Sequence, residues 1–427
     1  MNNKKSSLPP ATAYHRWPVR VLNVVLRALN SVGLARVNFN QTDLIEKARK
    51  QSGLEDFGDE SFRGQLGELL HCLNEQAELN PVGKLLTRMS LVRILRHRLM
   101  VQDLLQKHPE ILERTLAPPV VVVGLGRSGT TRLHRLLASD ERFLHLKSWE
   151  TVNPVPYPES YGAVEDPRKI EIEKALKAVM YLGPQIAAVH PLGADEVEEE
   201  VGLLQHGFSS QLFELLTKVP GFADYLEKHD QIAAYEYMLV LLKIISWFRG
   251  DPQDKPWVLK TPQHMQDLDC LIRVFPDAKI IFTHRDPVKV VGSCASMAWN
   301  ALVRDTDSLD PFWVGQDWSD KTERMLHKTQ RVREEMIPAE NQYDLLYADI
   351  SSDWKTAMIG VYQFLDLPPT EQAMTAMESW LAVNAQHKHG AHKYDLADFG
   401  LDAQEQEQRF AFYRERYAIP YEVKRPT

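Results

Sequence analysis

Three stretches of this chain place cations and hydroxyls where an apolar run gives way to a helical pattern. The first is Val120–Leu137. Four successive valines, Val120–Val123, read as a short strand buried on both faces, with Pro118 and Pro119 ahead of it. Gly124, Gly126 and Gly129 permit a sharp turn that bares N–H groups, and Leu133, Leu136 and Leu137 follow at helical spacing. Strand, glycine-rich turn and helix make a cradle for an oxyanion, held by turn amides and a helix N-terminus. The nucleotidase loop reads G-x-x-x-x-G-K-[ST]; here Gly124 and Gly129 keep the separation, but Thr130 stands where the lysine would be. Arg127 is the cation inside the loop, and its planar fork suits a phosphate or sulfate. The plainer reading is a strand-to-helix turn with no ligand.

The second stretch, Pro256–His264, runs from a short apolar strand into Lys260, with Pro262 stopping it and His264 one turn on. The third, Pro276–Pro287, has a buried strand over Lys279–Thr283, Arg285 at its end, and a helix begun by Pro287 that carries Ser293 and Ser296. Lys260 and Arg285 at strand ends suggest two anion subsites on one edge. The plainer readings are a snorkelling lysine, a helix-capping histidine and an Arg285–Asp286 surface pair. Leu144–Glu150 reads as a further short strand whose C-terminal end faces the same crevice. Glu150 there is a candidate general base, or else a surface or capping glutamate.

Strands near 120, 257, 279 and 343, separated by helical stretches, predict an α/β fold: a three-layer α/β/α sandwich with a parallel central sheet. Residues 1–115 form an N-terminal helical region, and residues 116–427 a nucleotide-binding domain with a helical insertion over 165–250. Within the insertion, Tyr235–Phe248 is core material expected to lie over the crevice and shape an acceptor pocket. Asp195–Glu200 reads as a solvated helix start rather than a metal site, since no His or Cys is spaced to join it; His190 before it is uncommitted. Trp299–Trp318 has no clear period and reads as a lid or substrate loop. His387–Lys393 gathers three histidines and two lysines and reads as a loop closing over a phosphate, or as a solvated basic loop.

A net charge of −8 over 427 residues excludes a broad nucleic-acid footprint, so an anion site must be a local positive pocket. The three cysteines, Cys72, Cys270 and Cys294, have no paired or metal-ligand spacing and read as reduced thiols. No apolar run has the length of a membrane span and no secretory pattern is visible, which points to the cytoplasm. Residues 1–42 contain no Asp or Glu but carry Lys4, Lys5, Arg16, Arg20, Arg27 and Arg36, and an amphipathic helix lies between Pro18 and Gly33. Two readings stand for residues 18–36: contact with an anionic membrane surface, or packing on the main domain.

Gly126-Arg-Ser-Gly-Thr-Thr131, Trp149-Glu150, Leu259-Lys-Thr-Pro-Gln-His264 and His284-Arg-Asp-Pro287 with Ser293 together resemble the PAPS-dependent sulfotransferases. PAPS is 3′-phosphoadenosine 5′-phosphosulfate. The nearest pattern is that of bacterial-type members with an R-S-G-T-T loop, related to the tyrosylprotein sulfotransferases. The resemblance spans roughly residues 118–417. It implies a P-loop-like fold, PAPS as donor without a metal, and a small-molecule or lipid-like hydroxyl acceptor. Gly126, Arg127, Ser128, Gly129, Thr130 and Thr131 would hold the 5′-phosphosulfate, and Arg285 and Ser293 the 3′-phosphate. Lys260 would reach the bridging oxygen. Glu150 resembles the base of the tyrosylprotein branch, and His264 lies near, but not at, the spacing of the cytosolic enzymes' histidine base. The basic C-terminal loop resembles a segment that covers the nucleotide. Sulfuryl transfer then parallels phosphoryl transfer, an in-line displacement driven by positioning and cations. A P-loop kinase needs the missing lysine; a catalytically silent nucleotide-binding protein has no use for two anion subsites.

Overall fold

The computed structural model describes residues 6–34, 36–162, 165–183, 193–384 and 394–423. His190 and the basic run His387–Lys393 lie outside the described residues.

Six strands occur among the described residues: β1 (Val120–Val123), β2 (Leu146–Lys147), β3 (Val197–Glu198), β4 (Val258–Lys260), β5 (Lys279–His284) and β6 (Gln342–Leu346). Four form a parallel sheet in the order β4-β1-β5-β6. Register sets Val122 beside both Lys260 and Ile281, and His284 beside Leu346. The turn after β1, Lys260 and Arg285 therefore leave the sheet at one edge, the carboxyl edge where open α/β sheets bind ligands.

The side-chain alternation of each strand divides the apolar core in two. Val121, Val123, Leu259, Ile280 and Phe282 join one cluster with helices Ile232–Arg249, Pro287–Leu302 and Pro311–Met336. Val120, Val122, Val258, Ile281 and Leu345 join the other, with Leu133, Leu136 and Leu137 of helix Thr130–Ala138 and with Met358 and Val361 of helix Trp354–Phe364. β1 is buried along its whole length, which explains its unbroken valine run. The three-layer α/β/α sandwich with a parallel sheet is what the sequence predicts. A third cluster joins helices Gln41–Ser52, Phe62–Glu75 and Pro81–Lys107 to Phe208, Phe213 and Phe222.

Three local expectations are corrected. Leu144–Glu150 does not extend the sheet as a strand. Leu144 makes one isolated parallel bridge to Trp257, and β2 then pairs antiparallel with β3. Asp195–Glu200 is not a solvated helix end: it contains β3, and Glu200, which stands at the start of the short helix Val201–Leu204, is completely buried. Trp299–Trp318 is not an irregular lid. It is the end of one helix and the start of another, with Trp299 and Val314 in the core and Asp310 capping Phe312 N at 2.9 Å.

Candidate active site

The turn after β1 takes an unusual backbone path. Arg127 has φ 68° and Gly129 has φ 92°. Left-handed residues inside a turn aim successive N–H groups to one side, forming an anion nest. Helix Thr130–Ala138 starts directly behind it, adding first-turn N–H groups that lack intrahelical partners. Gly124 leaves no room for a side chain, because a Cβ there would strike Thr283 Oγ1 on β5. Ser128 Oγ donates to Leu125 O at 2.6 Å and lies 2.8 Å from Thr283 Oγ1, so the serine braces the loop against β5. Gly126 is backed by Cys294, whose Sγ lies 3.5 Å from Gly126 O; burial pushes that thiol up to about 12, against the pull of Arg127 and Arg285.

Arg285 joins the loop from the neighbouring strand end. Its Nη1 donates to Arg127 O at 2.7 Å, and Arg127 Nε donates to Ser293 Oγ at 3.2 Å. Arg127, Ser293 and Arg285 thus form one cluster. The Arg285 guanidinium lies 3.9 Å from the centre of the Tyr347 ring and makes a two-pronged contact with Glu422, at 2.8 and 2.7 Å. Glu422 comes from the C-terminal segment, which Asp286 ties down through Glu422 N at 2.7 Å and Arg414 Nη2 at 2.6 Å.

Lys260, at the end of β4, has a fully buried side chain. Its Nζ donates to Thr131 Oγ1 at 3.2 Å and forms an ion pair with Glu199. Its own N–H donates to Glu200 Oε2 at 2.9 Å. The segment following β3 therefore lies across the end of β4, putting Glu199 on the lysine and Glu200 behind it. His134, buried on the helix behind the loop, is pushed down to about 3 by burial and the nearby Lys260.

The two residues read from sequence as bases are both engaged elsewhere. Glu150 is 2% exposed, and Arg249 grips both its oxygens, with Nε to Oε1 at 2.7 Å. Its Oε2 also accepts from Lys147 N at 2.8 Å, closing the start of helix Ser148–Val152. In this structure the carboxylate clamps Arg249 to the start of helix Ser148–Val152. His264 is wholly buried; its Nδ1 lies 2.9 Å from Tyr235 Oη and its Nε2 contacts Glu200. Burial alone raises the Glu200 carboxyl, yet the imidazole and the Lys260 N–H hold it below the usual range. His264 thus bridges Tyr235 and Glu200 in the interior. The sequence pattern does not single out Glu199, Glu200 or Glu422; the signal for the first two is the acidic run Asp195–Glu200 itself.

Fold and loop place this protein among the P-loop-like α/β proteins that grip an anion at the carboxyl edge of a parallel sheet. The chain belongs to the sulfotransferase family: the family model matches residues 118–372. It is 26% identical over 295 residues to the omega-hydroxy-beta-dihydromenaquinone-9 sulfotransferase Stf3 of Mycobacterium bovis, covering 65% of this chain and 70% of that protein. Its structure is similar to that of sulfotransferase STF1 from Mycobacterium tuberculosis, with a TM-score of 0.77 at 29% identity, covering 88% of this chain and 100% of the other. Sulfotransferase STF9 from Mycobacterium avium shares the fold, with a TM-score of 0.79 at 24% identity over 91% of this chain and 99% of that one. The protein is an enzyme of sulfuryl transfer.

Proposed function

We propose that the donor is PAPS, that the acceptor is an apolar, lipid-like alcohol or phenol, and that Glu199 is the base. The observation that carries this reading is the position of Lys260 Nζ, bonded to Thr131 at the cradle and paired with Glu199. The loop suits the 5′ end of such a donor: turn and helix N–H groups from Gly126 to Thr131, with the Arg127 fork beside them. Arg285 and Ser293 suit the 3′-phosphate, since both already meet Arg127. When bound, PAPS supplies an activated sulfuryl group on a phosphate leaving group.

Lys260 is placed to offset the charge that gathers on the leaving oxygen, and Thr131 orients its ammonium. Glu199 accepts the hydroxyl proton of the acceptor, a role worth about 10²–10⁴-fold in rate. Glu200 and His264 hold the Glu199 segment against β4 from behind. A lipid-like acceptor is supported by the named activity of the Mycobacterium bovis relative, which acts on a hydroxylated menaquinone.

The test is a mass-spectrometric assay of sulfate transfer from PAPS to a panel of prenyl and long-chain alcohols, phenols and sugars. Calorimetry with adenosine 3′,5′-bisphosphate and with ATP–Mg runs beside it. The expected result is transfer to apolar hydroxyls and binding of the bisphosphate well above ATP–Mg. Preference for ATP–Mg would overturn the donor assignment, and transfer to sugars alone would overturn the acceptor class.

A further inference from the structure

Helix Trp17–Ser31 rests on the protein by a narrow face of mixed polarity and leaves most of its apolar residues in water. The residues buried against the protein are Val19 and Asn23, with Leu26 and Asn30 half-buried beside them. Asn23 Oδ1 accepts from Val82 N at 2.9 Å, tying the helix to the start of helix Pro81–Lys107. At 100° per residue, the opposite face carries Trp17, Val21, Val24, Val25 and Leu29, all exposed, with Val32 just beyond. Trp17 is 76% exposed, and Leu34 past the helix is 77% exposed. The end of helix Pro81–Lys107 that Asn23 holds exposes Leu85 and Met89 as well. An apolar face of this extent turned to water marks an interaction surface.

Charge selects its occupant. Residues 1–42 carry six Lys and Arg and no Asp or Glu, in a chain of net charge −8. Arg20 donates to His15 O at 2.9 Å and Ala13 O at 3.3 Å, and Arg16 sits 4.4 Å over the Tyr181 ring. Those partners leave the positive charge in place; among the described residues of this segment Arg27 is neutralised, by Asp307. Arg88 on the adjoining helix donates to Asn38 O at 3.1 Å. A second copy on this face would bring two like-charged segments together. An anionic lipid surface matches both the apolar face and its basic flank, with Trp17 at the depth of the headgroups.

We infer that helix Trp17–Ser31 and the turn after it, through Leu34, form an in-plane docking element for anionic bilayers, with Leu85 and Met89 extending the contact. This inference is independent of the donor and acceptor proposed above, because its readout involves no catalysis.

The experiment is co-sedimentation of the full chain with phosphatidylcholine vesicles containing one-third phosphatidylglycerol, and with phosphatidylcholine alone. The expected result is partition onto the anionic vesicles, weakened when NaCl rises from about 0.1 M to about 0.5 M. The triple variant Val21→Ser, Val25→Ser, Leu29→Ser should lose about tenfold or more of that partition, with unchanged thermal melting because all three side chains are exposed. A second readout avoids any apolar loss elsewhere: a Val24→Cys variant carrying an environment-sensitive dye, selective because Cys72, Cys270 and Cys294 are buried. Its emission should shift to the blue with anionic vesicles only. No partition, no shift, or equal partition of the triple variant overturns the inference. So does a lipid-free dimer that the triple variant dissolves, which would assign the face to a second copy.

Discussion

Arg285 Nη1 donates to the main-chain carbonyl of Arg127 across 2.7 Å, joining two strand ends that are 158 positions apart in the chain. The Arg127 guanidinium meets Ser293, so the turn after β1 and the end of β5 share one rim. In the same arrangement Glu422 fills the rest of the Arg285 fork, as an anionic ligand would.

Two opposite outcomes follow at this position. Arg285→Ala should weaken adenosine 3′,5′-bisphosphate by about thirtyfold or more, the cost of losing a bidentate charge-assisted contact. Glu422→Gln should tighten the same ligand by a few-fold, because it removes the competing carboxylate. Calorimetry on both variants checks the pair. Equal affinity in Arg285→Ala and wild type would remove Arg285 from the donor site.

The base assignment separates Glu199 from Glu150 by the kind of defect each substitution causes. Glu199→Gln should lower kcat by about 10²–10⁴-fold with normal folding and normal bisphosphate binding. Glu150→Gln should leave turnover nearly intact in the folded enzyme but lose about 3 kcal/mol of stability, because Arg249 is left without its buried partner. Steady-state kinetics and urea melts on each variant distinguish them. Full turnover in Glu199→Gln would sink the assignment.

Gly129→Ala tests the cradle itself. A Cβ at this φ of 92° would lie 2.7 Å from Tyr347 Cδ2, so both backbone and ring must shift. The left-handed conformation alone costs a non-glycine residue about 1–2 kcal/mol. The expected result is a lower melting temperature together with loss of bisphosphate binding. Gly162→Ala, also at positive φ but with open space around it, should lose stability without losing the ligand.

Acid should destabilise the protein through its buried imidazoles. Burial pushes His134 and His206 down to about 3 from an unfolded value of 6.5. Both are neutral in the fold, and below 6.5 the unfolded chain binds more protons. Stability therefore falls as pH drops from 6.5 toward 3, by about 1 kcal/mol per histidine near pH 5.5. Asp267, pushed up to about 6 by burial, works in the other direction and offsets part of one histidine. Urea melts of wild type and His134→Leu at about pH 7.5 and about pH 5.5 measure it; the gap between the two proteins should move in the variant's favour by about 1 kcal/mol on acidification.

Residues near one another in sequence determined much of this protein. The valine run, the glycine-rich turn and the leucines behind it sufficed for the cradle. Proline-bounded strands ending in Lys260 and Arg285 sufficed for the parallel sheet. These are local patterns, and each strand's burial and exit point follow from its own residues. The tertiary structure alone decided which acid stands where. Glu150 and Glu199 are both glutamates beside short strands. One meets Arg249 from a helix that begins more than eighty residues later, and the other meets Lys260 from a strand sixty-one positions away. The partner of a charge is set by which segments the packing brings within a few ångströms, and no local pattern encodes it. The same holds for helix Trp17–Ser31: its periodicity announces an apolar face, but contacts made far along the chain, Asn23 with Val82 and Arg27 with Asp307, decide that this face turns away from the protein.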